Sequence, residues 1–513
     1  MALNQIGGGR FSAIAASSNN YDELFGGRTL LEADAVTGSK NSNGEQIRMG
    51  VGNDTLGLAV AGLQFKSDGF AQFENLDNRV AQATVQWHPT QSTQAFVSSQ
   101  AFDSRRGETF LPAAPWRGHV AIKDHCQVTR LGLRYSLTGD SELRTLWSTQ
   151  RTDQVNDYYD FAVPSNYTFS TTGNSNAHGA ELQYRRTGAT YATQWGVQKF
   201  RGRSIYLGGS DLTRNRQQLY AAWQQALNRE WQLDAGLGFG KIDNQDNVMV
   251  GGFDNSTSLA RWLPRLGAVY TPDSVTHLRM AAWQSMGMGG VGDATLVPTS
   301  LAGILLNRYG DDGKLVRGAS LGANRQLSPA WLLAAEAQRR KTGLPNVDPF
   351  SRPGEQFFIM QQVDESRLEL HWQPDGKPWA VKFAYDYEHI QNEPNLTYSA
   401  ENDSVNEQNL RSQQIEMRWF ASAQWTAHLA WSHNRVNGTQ IAFDPFFAPI
   451  PLAYQNGFNQ LDANLDWQFA KSGTLAAGVR NAADKRFQYM DIDRLNPRFS
   501  NGRMVYARIK FAW

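Results

Sequence analysis

Apolar and polar residues alternate at every second position along much of the chain. In 461–469, LDANLDWQF, the odd positions hold Leu, Ala, Leu, Trp and Phe, and the even positions hold Asp, Asn, Asp and Gln. The same pattern recurs in 379–388, 415–419, 131–135 and 231–239. Because successive side chains of a β-strand point to opposite faces, this period of two predicts strands with one apolar face and one polar face.

Short turn signals separate these strands into pairs. They predict ten tight hairpins, near residues 53, 90, 139, 188, 228, 273, 328, 375, 422 and 471. Together with a strand that opens at Thr29 and one that ends the chain, the hairpins predict 22 strands. The intervening segments at the opposite edge are longer and polar, namely 111–126, 163–175, 289–314, 344–361, 394–408 and 438–455.

An even number of long alternating strands, tight turns at one edge and 12% aromatic residues together indicate one fold class. We predict an all-β transmembrane antiparallel up-and-down β-barrel of about 22 strands, with short periplasmic turns and long extracellular loops. In hydrocarbon, a sheet satisfies its backbone hydrogen bonds only by closing on itself. The alternative is a soluble sandwich or propeller, whose apolar faces would meet in a shared core and whose strands are usually shorter.

Composition narrows the function without naming it. No run of 18 apolar residues exists, which excludes a transmembrane helix, and the net charge of +1 favours no nucleic-acid partner. Cys126 is the only cysteine, so neither a disulfide nor a cysteine metal cluster is expected. The chain contains no HExxH and no GxSxG motif. We therefore expect no enzyme activity, no cofactor and no metal site.

The chain is expected to divide into a short segment and one domain. Residues 1–28 would be a periplasmic or lumenal N-terminal segment, and residues 29–513 a single transmembrane barrel. The start, MALNQIGGGR, lacks the basic end and apolar stretch of a signal peptide. The main partner of such a domain is the lipid bilayer of the bacterial outer membrane.

The polar face of each strand should point into the lumen of the barrel. Its charges are mixed in sign, which suits water, a neutral saccharide or a hydrated protein surface better than selection of one ion charge. The candidate pore-lining residues are Glu32, Asp34, Arg48, Arg130, Arg134, Glu181, Arg185, Asp234, Glu336, Lys382, Asp386, Glu388, Glu416, Arg418, Asp462, Asp466, Arg508 and Lys510.

Tryptophans cluster near the tight turns, where amphipathic rings suit the headgroup layer of a membrane. The predicted girdle consists of Trp87, Trp231, Trp331, Trp372, Trp379, Trp425 and Trp467.

Both ends of the chain resemble known outer-membrane proteins. The end, GRMVYARIKFAW, resembles the terminal strand that such proteins show to the barrel-assembly machinery, so Phe511 and Trp513 would form the assembly signal. The preceding LAAGVRNAADKRFQY resembles the penultimate strand of TonB-dependent receptors, whose barrels have 22 strands. Residues 21–25 and 66–70 resemble proteobacterial barrels that follow tetratricopeptide arrays.

The chain departs from both families in ways that bear on function. TonB-dependent receptors carry a large plug domain and a TonB-contacting box before the first strand, but only 28 residues precede Thr29. No 34-residue helical repeat is present either. Because natural barrels of this width are plugged, something else should fill the lumen.

These departures favour a transport conduit whose lumen holds a partner protein or a transported polymer. One alternative is an uptake receptor whose plug is missing or supplied separately, with 289–314 and 344–361 as first ligand contacts. A second alternative is a membrane anchor or sheath for a large surface or electron-transfer assembly. Cargo, direction of transport and oligomeric state are not predicted.

Overall fold

The computed structural model describes residues 29–69, 75–109, 119–159, 167–206, 210–248, 256–287, 295–306, 313–347, 356–392, 405–443, 449–485 and 502–513. Within these ranges the chain forms 24 strands. None of the described segments is a helix of the length and apolarity needed to cross a membrane. The predicted N-terminal segment, 1–28, lies outside the described residues.

The strands of the first half are β1 (Thr29–Gly38), β2 (Ser42–Gly52), β3 (Leu56–Ser67), β4 (Leu76–Thr90), β5 (Thr93–Thr109), β6 (His119–Thr138), β7 (Ser141–Tyr159), β8 (Tyr167–Thr187), β9 (Tyr191–Tyr206), β10 (Ser210–Ala226), β11 (Trp231–Val248), β12 (Thr257–Asp273) and β13 (Thr276–Met286). Those of the second half are β14 (Ser300–Leu301), β15 (Ile304–Leu305), β16 (Leu315–Ser328), β17 (Trp331–Val347), β18 (Gln356–Trp372), β19 (Trp379–Asn392), β20 (Val405–Phe420), β21 (Trp425–Phe443), β22 (Pro449–Ala470), β23 (Gly473–Arg480) and β24 (Met504–Ala512).

Twenty-two of these strands form one closed antiparallel sheet. Each strand pairs with the next along the chain, except that β13 pairs with β16 across the small separate hairpin of β14 and β15. Closure comes from β1, which pairs with β2 on one side and with β24 on the other. The predicted 22-stranded up-and-down barrel is therefore confirmed, and its closed sheet leaves no free edge.

All ten predicted hairpin turns join neighbouring strands. The strands, however, run further than the sequence pattern suggests: β8 has 21 residues and β22 has 22. Parts of the predicted loops are therefore strand, including 119–126 in β6 and 405–408 in β20. At the opposite edge β1 and β2 are joined by a tight turn, where Lys40 and Asn41 both adopt positive φ.

The outer face of the barrel is apolar and exposed. Leu266, Leu321 and Trp262 are each at least 60% exposed, whereas the inward side chains of Gln183 and Gln218 are 2% exposed. A closed sheet with apolar side chains exposed on the outside and polar side chains buried on the inside is stable only where hydrocarbon covers its outer face. Together with the even strand number, this places the chain in the bacterial outer membrane.

The inner face is not uniformly polar, which the alternation alone did not predict. One buried apolar cluster on this face consists of Val36, Leu63, Phe65, Val80, Met504 and Tyr506. It bridges β24, β1, β3 and β4, so it reinforces the closure of the barrel from within. Side chains at these positions escape water by packing on one another across strands.

Candidate functional site: the inner face of the barrel

The inner face is the side of each strand opposite the exposed apolar residues. By strand parity and register, all of the predicted pore-lining residues lie on it. That they line a transport path stays a prediction. The structure shows how their charges are distributed. Most of these residues lie within ion-pair distance of an opposite charge on a neighbouring strand.

The first charge cluster lies where the barrel closes. Arg48 Nη1 donates to Glu32 Oε2 at 2.8 Å, and Lys510 Nζ lies 3.6 Å from Glu32 Oε1. Arg508 Nε donates to both carboxylate oxygens of Asp34, at 2.8 and 3.0 Å. Strands β24, β1 and β2 each contribute to this cluster, which is balanced apart from one extra positive charge.

A second cluster surrounds Glu142, a residue the sequence analysis did not select. Arg134 Nε donates to its Oε2 at 2.5 Å, Arg144 pairs with its Oε1, and Arg185 Nη1 lies 3.9 Å from Oε1. The alternating pattern did not indicate Glu142, because this residue immediately follows a turn and belongs to no long alternating run. The predicted Arg130 is buried at 9% exposure on the same wall.

A third cluster lies on β19 to β22. Lys382 Nζ lies 2.7 Å from Glu416 Oε1, and His428 Nε2 lies 3.8 Å from Glu416 Oε2. The other ring nitrogen of His428 is 3.1 Å from Asn464, whose amide donates to Asp466 at 2.9 Å. Lysine, carboxylate, imidazole and amide thus form one row of ion pairs and hydrogen bonds across four strands.

Three further predicted pore-lining residues lie outside these clusters. Asp386 lies 3.4 Å from Arg367, and Glu336 lies 3.8 Å from Arg279. Asp462 accepts a hydrogen bond from the backbone N–H of Asn481 at 2.7 Å, so it holds the chain just past β23.

The strand register places two further predicted residues. Glu388 pairs in register with Glu365 of β18, and Arg418 lies opposite His428.

Residues 295–306, called the internal segment below, lie against the inner face of the barrel, a position that the sequence did not predict. Both Thr295 Oγ1 and the Leu296 N–H donate to Glu181 Oε2, at 3.0 and 2.6 Å. The Ala302 N–H donates to Asp234 Oδ2 at 2.7 Å. Two predicted pore-lining carboxylates therefore bind backbone groups of this same chain, within the stretch 289–314 that the sequence predicted as a surface loop.

Wall residues also donate to carbonyl groups of the internal segment. Gln183 Nε2 donates to the Leu296 carbonyl at 2.6 Å, and Arg265 Nη1 donates to the Pro298 carbonyl at 3.0 Å. Arg265 is 8% exposed. Backbone groups of an irregular segment need such partners, because burying them unpaired is costly.

An apolar cluster completes the attachment. Leu301, Ile304 and Leu306 of the internal segment pack on Ala281 and Trp283 of β13. Between β14 and β15 the chain reverses through Ala302 and Gly303, both at positive φ. Positive φ at both central residues is the geometry of the tightest hairpin turns. The segment therefore combines local order with contacts to β8 and β10 to β13.

Aromatic stacks mark the tight-turn edge of the barrel. The ring centroids of Trp425 and Trp467 lie 5.3 Å apart, and those of Trp331 and Trp372 lie 5.4 Å apart. Trp379 meets Trp372 edge to face at 4.3 Å. Two predicted girdle residues stand apart from these stacks: Trp231 stacks on Tyr270, and Trp87 is 51% exposed. A role as membrane girdle stays a prediction.

At the chain end, Phe511 and Trp513 lie on the outer face with their rings stacked 5.2 Å apart. Their proposed role in assembly also stays a prediction. Among the described residues, no three His, Cys, Asp or Glu side chains gather into a group that could hold a metal ion. The inner face offers charge-paired, hydrogen-bonding surface instead.

Comparison with solved structures identifies the fold. Over 96% of this chain and 83% of the other, the FrpB iron transporter from Neisseria meningitidis superposes with a TM-score of 0.73 at 11% identity. The copper transporter OprC gives 0.72 at 12% identity, covering 95% and 80% of the two chains. The ferric yersiniabactin uptake receptor FyuA from Yersinia pestis gives 0.69 at 13%, covering 95% and 80%.

No family model and no curated protein matches the chain. The predicted resemblance to 22-stranded receptor barrels is confirmed at the level of fold, which is that of an outer-membrane β-barrel.

Proposed function

We propose that this barrel is an outer-membrane transport conduit whose wide lumen accommodates a partner protein or a polymer in transit. The observation that carries the proposal is the local matching of charge on the inner face. Glu142 lies among three arginines, Glu416 beside Lys382, and Asp34 beside Arg508. A wall of paired charges attracts no single ion strongly, yet it keeps many donors and acceptors for hydrated cargo.

The width of the barrel supports a large occupant. Barrel diameter grows with strand number, and natural barrels of 22 strands enclose a plugged lumen. Among the described residues, the contacts of the internal segment with the wall lie on β8 and β10 to β13. The charge clusters of β19 to β22 and of the closure lie on other strands, where they face the lumen.

A neutral hydrated polymer fits this wall better than a charged one. Amide and hydroxyl side chains alternate with the ion pairs, as where Thr84 donates to Ser98 and Ser104 to Asn78. Because such groups are already paired with one another and charges are matched, the wall binds no single chemical group strongly, so cargo would slide rather than lodge.

The second candidate function is energised uptake with a plug supplied by another chain. It is favoured by the names of the similar structures, since FrpB is an iron transporter and FyuA an uptake receptor. Under this hypothesis the same inner wall would seat a protein plug, and the long loops would make the first ligand contacts.

Conductance in planar bilayers tests the conduit. We expect the purified protein to form open channels with weak ion selectivity. Glu416→Gln should shift selectivity toward anions because it leaves Lys382 unmatched, whereas Glu416→Gln with Lys382→Gln should restore the original value. Channels that stay closed, or that strongly prefer one ion charge before any substitution, would contradict the proposal.

Co-purification separates the two candidates. A companion protein recovered at equal stoichiometry from native membranes, with the size of a plug, would favour uptake. An extended polysaccharide, or a companion that spans the lumen, would favour the conduit.

A further inference from the structure

We infer that the internal segment, residues 295–306, is the size-limiting element of the conduit. This inference rests on the proposed function, and it names the part of the chain that decides which solutes pass. Three observations support it. Polar groups of the inner face bind the segment, and apolar side chains pack beside these contacts. The two strands that flank the segment, β13 and β16, already meet without it.

The polar anchors come from four wall strands. Glu181 and Gln183 of β8 bind both the N–H and the carbonyl of Leu296. Asp234 of β11 binds the Ala302 N–H, and Arg265 of β12 binds the Pro298 carbonyl. Tyr220 of β10 adds a longer bond to Leu296, at 3.4 Å. Charged and amide groups thus bind backbone groups of the segment, and among the anchors described only the Thr295 hydroxyl comes from one of its side chains.

The apolar anchors fix the depth of the segment. Leu301 is 4% exposed and Ile304 is 2% exposed, against the 5% exposed ring of Trp283. Burial of this kind inside a water-filled barrel stabilises the docked position, because lifting the segment would return these side chains to water. A segment held at both polar and apolar contacts occupies lumen cross-section permanently.

The pairing of the flanking strands β13 and β16 shows that the segment is an addition to the barrel and is not needed to close the sheet. Met286 of β13 pairs directly with Leu315 of β16. Beyond this pair, the Gly287 N–H donates to the Lys314 carbonyl at 2.7 Å, and the Gly313 N–H donates to the Gly287 carbonyl at 3.1 Å. The two strands therefore already meet, and a short turn could join them without residues 289–311.

Two variants of the full chain test the inference. The first replaces 289–311 by a short Gly-rich turn, and the second is Glu181→Ala with Asp234→Ala, which removes the carboxylate anchors. The matched control is Glu369→Ala, since this inner-face carboxylate of β18 pairs with Arg367 and His371 of its own strand, away from β8 and β10 to β13. Folding of each variant is checked by its heat-dependent mobility on a detergent gel.

The readouts are single-channel conductance and the largest neutral oligosaccharide that enters liposomes. Because ion flow scales with open cross-section, we expect the deletion to raise conductance at least roughly twofold and to admit larger oligosaccharides. The double substitution should raise the size limit in part, and Glu369→Ala should leave it unchanged.

The outcomes separate the inference from the proposed function. If the unaltered protein and the deletion both conduct with the same size limit, the inference fails and the conduit stands. If neither conducts, the proposed function fails and the inference fails with it. If only the deletion conducts, the segment is shown to block the lumen, but the unaltered channel is closed and the open conduit of the proposed function fails.

Discussion

Arg508 of the last barrel strand binds Asp34 of the first through both carboxylate oxygens, although 474 positions separate them in sequence. Asp34 is 8% exposed. Since β24 and β1 meet only when the sheet closes, this ion pair depends on closure of the barrel. Its neighbours Glu32 and Lys510 repeat the same connection at 3.6 Å.

Removing the closure pair should destabilise the barrel. We expect Asp34→Asn to lower the free energy of unfolding by about 1.5–3 kcal/mol, because it leaves a half-buried guanidinium without its charged acceptor. Urea unfolding in lipid vesicles measures the change. The control is Asp153→Asn, whose partner Arg151 is 63% exposed, and which should cost at most about 1 kcal/mol. Equal effects at the two sites would contradict a special role for the closure pair.

Adjacent residues of β22 should respond oppositely to a charge. Leu465 is 45% exposed on the apolar outer face, two residues from Trp467 of the predicted girdle, whereas Asn464 lies on the inner face between Asp462 and Asp466. We expect Leu465→Arg to cost about 1–2 kcal/mol of folding free energy in bilayers, between the costs of a cation at the midplane and at the interface. Asn464→Arg should cost far less, because two carboxylates neighbour it. Urea titration in lipid vesicles measures the unfolding free energy of both variants. Similar costs for the two substitutions would contradict a lipid-covered outer face.

The stacked tryptophans at the tight-turn edge should be energetically coupled. Trp425 and Trp467 lie nearly parallel, with 6° between their planes. A double-mutant cycle with alanine should give a coupling of about 0.5–1.5 kcal/mol, the usual value of an aromatic pair beyond its buried area. A cycle that joins Trp425 with Trp195 on β9 should be additive, since the two residues lie on distant strands.

A glycine on β16 should prove intolerant of a methyl group. A Cβ at Gly318 would overlap the ring of Trp283, which is held beneath Leu301 and Ile304. We expect Gly318→Ala to cost about 1–3 kcal/mol through overpacking and to loosen the internal segment. Gly62→Ala is the control, because a methyl group there would meet nothing within 4 Å, and it should be neutral or slightly stabilising. Unfolding free energy and channel conductance together show whether the ring has moved.

The sequence by itself determined that the barrel has 22 strands and which face of each strand is apolar. The alternation in 461–469 and its many copies reflects a local geometric period, and turns such as the one at 139 depend on residues within a few positions. Local rules of this kind need no knowledge of distant residues. Closure followed from them, because an even set of apolar-faced strands in lipid has no other way to pair its edges.

Only the tertiary structure decided which inner residues meet. Strand stagger placed Arg508 diagonally from Asp34 and gathered three arginines around Glu142, neither of which a single strand pattern encodes. It also brought Glu181, Asp234 and the internal segment together across more than 60 positions of chain. The physical reason is that alternation tells a side chain which face to take, whereas register and closure set its neighbours on that face.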